Sequence, residues 1–90
     1  MAGESEERRQ QFLRAAYEIA THKREPTSSV YILEVAKEMG LKDPATDDDV
    51  REELTRHARE LEEEGDVEGW SSTTSRFRLT HQGVSKAEGG

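Results

Sequence analysis

Residues 35–43 read VAKEMGLKD. The stretch begins like the second half of an amphipathic helix and then meets Gly40, followed by the apolar Leu41. Glycine accepts the positive φ of a left-handed helix cap, and an apolar residue just after it can return to the core. The stop therefore reads either as a simple capped end or as a corner from which the next helix departs at a steep angle. What flanks the corner decides between the two.

On the N-terminal side, Ile32, Leu33, Val35, Ala36 and Met39 form one apolar stripe, which predicts a short helix from Val30 to its glycine stop. Before it lies HKREPTSS, where Pro26 disfavours a helical Glu25 and the Ser/Thr cluster supplies turn and cap groups. That segment ends a first helix expected over Ser5 to His22. Leu13, Ala16, Tyr17 and Ala20 share its apolar side, widened by Phe12 and Ile19, and Arg8, Arg9, Arg14 and Glu18 take the other.

On the C-terminal side comes KDPATDDDV, in which Pro44 forbids continuation of the helix. Thr46 followed by Asp49 resembles a capping box and predicts a third helix starting near Asp47. Val50, Leu54, Ala58 and Leu61 carry its apolar repeat, and Gly65 closes it. The period then changes. DVEGW and SRFRLT flank the polar tip SSTTS and read as a two-stranded hairpin, with Phe77 and Leu79 on one face and Arg76 and Arg78 on the other. The tail KAEGG is expected to fray.

Ninety residues with 31% hydrophobic content supply one small core, so a single domain is expected over residues 5–86, with flexible termini at 1–4 and 87–90. Without cysteine there are no disulfides and no thiolate chemistry, which favours an intracellular setting. MAGESEERRQ lacks the apolar stretch of a signal peptide and no apolar run is long enough to span a bilayer, so the expected location is cytoplasmic, away from membranes. The net charge of −7 weighs against a polyanionic partner, but it is unevenly placed. Residues 47–64 hold nine acids and three bases, and the remaining stretches nearly cancel.

Three helices followed by a hairpin is the order of a winged helix-turn-helix, and three segments resemble that family in sequence. LEVAKEMGL is similar to its second helix and corner, LEEEGDVEG to the passage from third helix to first wing strand, and FRLTHQGV to the closing strand. The similarity spans roughly residues 10 to 86. The resemblance implies an α+β, mostly helical fold in which a three-helix core carries a C-terminal two-stranded wing, with one very short strand near Ser28 to Val30. LKDPATDD is longer than the family's tight turn.

The function this implies is DNA binding of a transcription-regulator type. The third helix would enter the major groove with Arg51, Thr55, Arg56 and Arg59, and the wing would hold the backbone with Ser72, Thr74, Arg76 and Arg78. The residues themselves leave alternatives open. At about 100° per residue, the face opposite Val50, Leu54 and Leu61 carries four acids, Asp48, Asp49, Glu52 and Glu63, against the bases Arg56 and Arg59, with Thr55 between them. Carboxylates beside phosphate repel. Arg51, Arg56 and Arg59 can instead pair with Glu52, Glu60 or Glu63 along the helix, and the tip can be an ordinary exposed hairpin. A second reading is therefore a protein-interaction module whose acidic third helix engages a basic protein surface, and a third is a homodimer formed through the first helix.

The other polar candidates read as structure. Asp47, Asp48 and Asp49 suit a helix start and lack the spacing of a calcium loop, so no metal is expected. His57 falls beside Leu54 and Leu61 and reads as a histidine at the core's edge; His22 and His81 have no ligand-like spacing to it. Trp70, Tyr17 and Tyr31 read as packing residues. No nucleophile elbow, phosphate loop or histidine-containing catalytic pair is present, so neither enzyme activity nor a cofactor is expected.

Overall fold

A computed structural model describes residues 2–89, with side chains from residue 6 onward. Met1 and Gly90, which belong to the termini expected to be flexible, lie outside the described residues. In chain order the elements are α1 (Ala2–Lys23), β1 (Val30–Tyr31), α2 (Ile32–Glu38), α3 (Asp48–Glu64), β2 (Val67–Ser71), β3 (Arg76–Leu79) and α4 (His81–Ala87). The architecture is α+β and mostly helical, and the three strands form one antiparallel sheet of order β1-β3-β2. No helix among the described residues is long and apolar enough to cross a membrane.

The Gly40 corner is a Schellman turn. Gly40 has φ +72°, its N–H donates to Lys37 O at 3.2 Å, and the Leu41 N–H donates to Ala36 O at 2.8 Å. Leu41 then packs against the core while Ala36, 1% exposed, keeps α2 close to it. The same device closes α3, where Gly65 at φ +85° donates to Glu62 O and Asp66 donates to Leu61 O.

Between the two helices Asp43 organises the long connection. Its Oδ1 accepts the Ala45 N–H at 2.8 Å, its backbone O accepts the Asp47 N–H at 2.9 Å, and Pro44 is buried. The expected Thr46–Asp49 capping box does not form. Asp47 is the cap, its Oδ1 accepting the Val50 N–H at 3.1 Å, and the Thr46 hydroxyl turns back to Asp43 O.

Phe12, Leu13, Ala16 and Ala20 of α1, Ile32 and Val35 of α2, and Leu54, Ala58 and Leu61 of α3 enclose one core, with Val30, Val67, Phe77 and Leu79 as its floor. Phe12 stacks on Phe77 at 5.3 Å between ring centroids, tying the longest helix to the central strand. Leu33, expected in the α2 stripe, is instead exposed. Ile32, Val35 and Ala36 already fill the side of this two-turn helix that faces the core.

β1 pairs through Val30 and Tyr31 with Phe77 and Arg76, slightly later than the expected Ser28 to Val30. In the β2–β3 hairpin, Glu68 faces Arg78 and Ser71 faces Arg76, which leaves one extra residue on β2. Gly69, at φ +70°, absorbs this bulge. The insertion breaks the two-residue alternation and turns Trp70 away from the outer face of Arg76 and Arg78, toward α3 and the core.

Residues 81–87, of which Lys86 and Ala87 belong to the tail expected to fray, form α4, and Ala87 is buried. The reason lies in Thr80 and Asp66. Thr80 Oγ1 accepts the Gly83 N–H at 3.1 Å as helix cap and donates to Gly65 O at 2.6 Å, while the Thr80 N–H donates to Asp66 O. The carboxylate of Asp66, 1% exposed, takes Gln82 Nε2 at 2.7 Å and Lys86 Nζ at 3.0 Å. A helix of two turns is thus fixed by a buried acid at the same open end of the hairpin, just before the neighbouring strand β2.

Candidate nucleic-acid interface

Helix α3 carries most of the chain's negative charge, and its acids divide by face. Toward α1, Arg8 forks onto Glu53, with Nε to Oε2 at 2.9 Å and Nη2 to Oε1 at 3.0 Å. Arg9 reaches Glu64 at 3.3 Å and Glu60 at 3.8 Å. Three of the acids are therefore met by arginines from another helix, a long-range pairing that periodicity does not reveal. The Arg8 hydrogen bonds hold the Glu53 carboxyl below the usual carboxylate range, with a further contribution from His57, although burial opposes them.

His57 lies beneath these pairs, 1% exposed, with its ring 5.9 Å from that of Phe12 and its Nε2 3.1 Å from Glu53 Oε2. Burial pushes its pKa below the ordinary histidine value, while Glu53 and Glu60 pull the other way. It is more deeply buried than the expected position at the core's edge.

The opposite side of α3 borders an open groove of about 510 Å³ that runs between the helix and the hairpin. From the helix come Arg51, Thr55, Arg56 and Arg59 with Glu52, Glu60 and Glu63; from the hairpin come Trp70, Ser72 and Ser75. Asp48 and Asp49, beside the N-terminal cap, do not line the groove, whereas Arg51 and Glu60 do, giving three bases and three acids. The expected pairing along the helix also differs: Arg51 bonds Asp48 at 2.9 Å, and Glu60 turns toward Arg9. Among the described residues, Arg56 and Arg59 form no ion pair.

Of the eight positions named from the sequence, Arg51, Thr55, Arg56, Arg59 and Ser72 thus meet along one groove. Thr74 is exposed at the hairpin tip. Arg76 and Arg78 are exposed on the outer face of the sheet and do not line the groove, and Arg78 is held by Glu68 at 3.1 Å. Ser75, part of the polar tip SSTTS but not among those eight positions, joins the groove through a tight tip turn in which it has φ +54° and donates its N–H to Ser71 O at 2.7 Å. A second cleft, of about 540 Å³, lies among α1, the end of α3 and α4. Its charges largely pair off, Arg9 with Glu64 and Lys86 with Asp66.

Comparison with protein-family models, with curated proteins and with solved structures found no match for the chain.

Proposed function

We propose that the chain is a winged helix-turn-helix domain that binds duplex DNA as a transcription-regulator-type module. In this reading α3 enters the major groove, Arg56 and Arg59 contact base edges or phosphates, and Arg51 and Thr55 flank them. The β2–β3 hairpin is the wing, with Ser72 and Thr74 donating to the backbone and Arg76 and Arg78 adding positive charge at its outer side. The order of helices, the strand between the first two, and the glycine corner into α3 support the fold assignment.

The observation that carries the DNA reading is the separation of charge on α3. Arg8 and Arg9 engage Glu53, Glu64 and the groove-bordering Glu60 from the side of α1, and among the described residues Arg56 and Arg59 stay without acid partners. A chain of net charge −7 can still offer phosphate a locally neutral surface where Arg51, Arg56 and Arg59 balance Glu52, Glu60 and Glu63 along the groove.

The same groove also supports a second reading. Glu52 and Glu63 line it beside the half-buried Trp70, a combination suited to a basic protein surface. Titration of duplex DNA into labelled chain at low and moderate salt, followed by backbone amide shifts, separates the two. DNA binding is expected to give strongly salt-dependent shifts in α3 and in residues 71–81. No binding at low salt rejects it. A basic partner retained by the native chain and lost on changing Glu52 and Glu63 to Gln establishes the second reading instead.

A further inference from the structure

The two ring nitrogens of His57 meet different surroundings. Nε2 faces Glu53 Oε2, an oxygen that the Arg8 guanidinium also binds. A carboxylate kept ionised by arginine can only accept, so Nε2 carries the proton of the neutral ring. Nδ1 is then a lone pair, and 3.9 Å away lies Glu60 Oε1. Both of these atoms are buried, and neither has a hydrogen-bond partner. Arg9 Nη1 stands 3.8 Å from the same Oε1, beyond hydrogen-bond distance, so the two facing acceptors share no hydrogen bond among the described residues, and a single proton supplies one. Glu60 also borders the groove between α3 and the hairpin.

We propose that His57 is a proton-operated latch on that groove: a second proton on its ring forms an Nδ1–H bond to Glu60 Oε1, draws this carboxylate inward, and lowers the negative charge presented beside Arg56 and Arg59. Its consequence for binding rests on the nucleic-acid reading of the groove. The charged groups around the ring are Glu53, Arg56 and Glu60 from α3 and Arg8 and Arg9 from α1; Phe12, stacked on Phe77 of β3, supplies the apolar wall. Burial and Arg56 oppose the second proton, and Glu53 and Glu60 favour it, with the balance below the ordinary histidine value. The latch is therefore open at neutral pH and closes on acidification. A polyanion in the groove favours the closed form, so binding and protonation strengthen each other by the same factor.

The test uses the full chain carrying ¹⁵N-labelled histidine, tryptophan and arginine, in a His22→Gln, His81→Gln background so that only His57 titrates as histidine. At neutral pH the proton is expected on Nε2. On acidification Nδ1 gains one, and the Trp70 indole and Arg59 side-chain signals move with the same midpoint. Glu60→Gln, at a partly exposed side chain, is expected to keep the fold, lower that midpoint and abolish the coupled groove shifts. A neutral ring protonated on Nδ1, or groove signals indifferent to His57, overturns the latch.

Affinity for duplex DNA is the second arm. It is expected to rise as pH falls from 7.5 through the His57 titration midpoint, by up to roughly three- to tenfold if binding raises the His57 pKa by about half to one unit, and to change little in Glu60→Gln. Equal pH dependence in both chains overturns the latch. Coupled NMR shifts without DNA binding at either pH support the latch and reject the DNA reading alone.

Discussion

Gly83 lies so tightly against the backbone carbonyl of Asp66 that no β-carbon fits between them. The approach is fixed from both sides, because Thr80 caps Gly83 while donating to the carbonyls of Gly65 and Asp66. Gly83→Ala must therefore push α4 away from the start of β2 and weaken the contacts of Gln82 and Lys86 with the Asp66 carboxylate. A loss of about 2 to 3 kcal/mol is expected, read as a lower urea midpoint. An unchanged midpoint would show that α4 slides freely.

Gly40 poses the opposite case. A β-carbon there meets nothing within 4 Å, but φ is +72°. Only backbone strain opposes a substitution, so Gly40→Ala should cost about 1 kcal/mol, and Gly40→Asn less, since asparagine tolerates the left-handed region. Equal stability of the alanine and glycine chains in urea unfolding would contradict the strain.

These two glycines also mark what the sequence reveals and what it hides. The Gly40 corner was legible because its signals are local: an apolar stripe, a glycine and an apolar return within a few residues. The hairpin faces were legible from the alternation of Arg76, Phe77, Arg78 and Leu79. Gly83 and α4 were not, because the helix depends on a buried acid some twenty residues away and its own stretch, HQGVSKA, has little apolar periodicity. The groove was half legible. Helical angles bring Thr55, Arg56 and Arg59 to one side, but the pairing of Glu53, Glu60 and Glu64 with α1 is a tertiary event. So is the turning of Trp70, which follows from one extra residue on β2.

Acid should destabilise the fold in two windows. The His57 pKa is lowered by burial, so the unfolded chain takes that proton first, and stability declines as pH falls below the ordinary histidine value of about 6.5. The Glu53 pKa is lowered chiefly by Arg8, so its contribution is complete above the ordinary glutamate value of about 4.3 and is lost as pH falls through the lower folded value. His57→Gln should flatten the upper window. Arg8→Ala should flatten the lower one and cost about 1 kcal/mol or less at neutral pH, since the Arg8 side chain is 42% exposed and its pair is partly screened. Urea unfolding from pH 3 to 8 measures both; a single transition untouched by either substitution would refute the assignment.

The arginines on α3 and those on β3 are not equivalent for a ligand in the groove. Arg56 and Arg59 border it and, among the described residues, lack acid partners, whereas Arg76 and Arg78 stand on the outer face of the sheet and Arg78 is already engaged by Glu68. Each phosphate contact contributes close to one unit to the slope of log affinity against log salt, so the two pairs can be separated by how substitution changes that slope. Arg56→Ala with Arg59→Ala should flatten it by about two units if both touch phosphate, and weaken binding more than tenfold at low salt. If one of them reads a base edge instead, the slope falls by about one and discrimination among duplexes relaxes. Arg76→Ala with Arg78→Ala should flatten the slope by about one unit or less and weaken all duplexes alike, because removing Arg78 also frees Glu68. The reverse ranking, with the β3 pair dominant, would move the binding surface from the α3 groove to the outer face of the sheet.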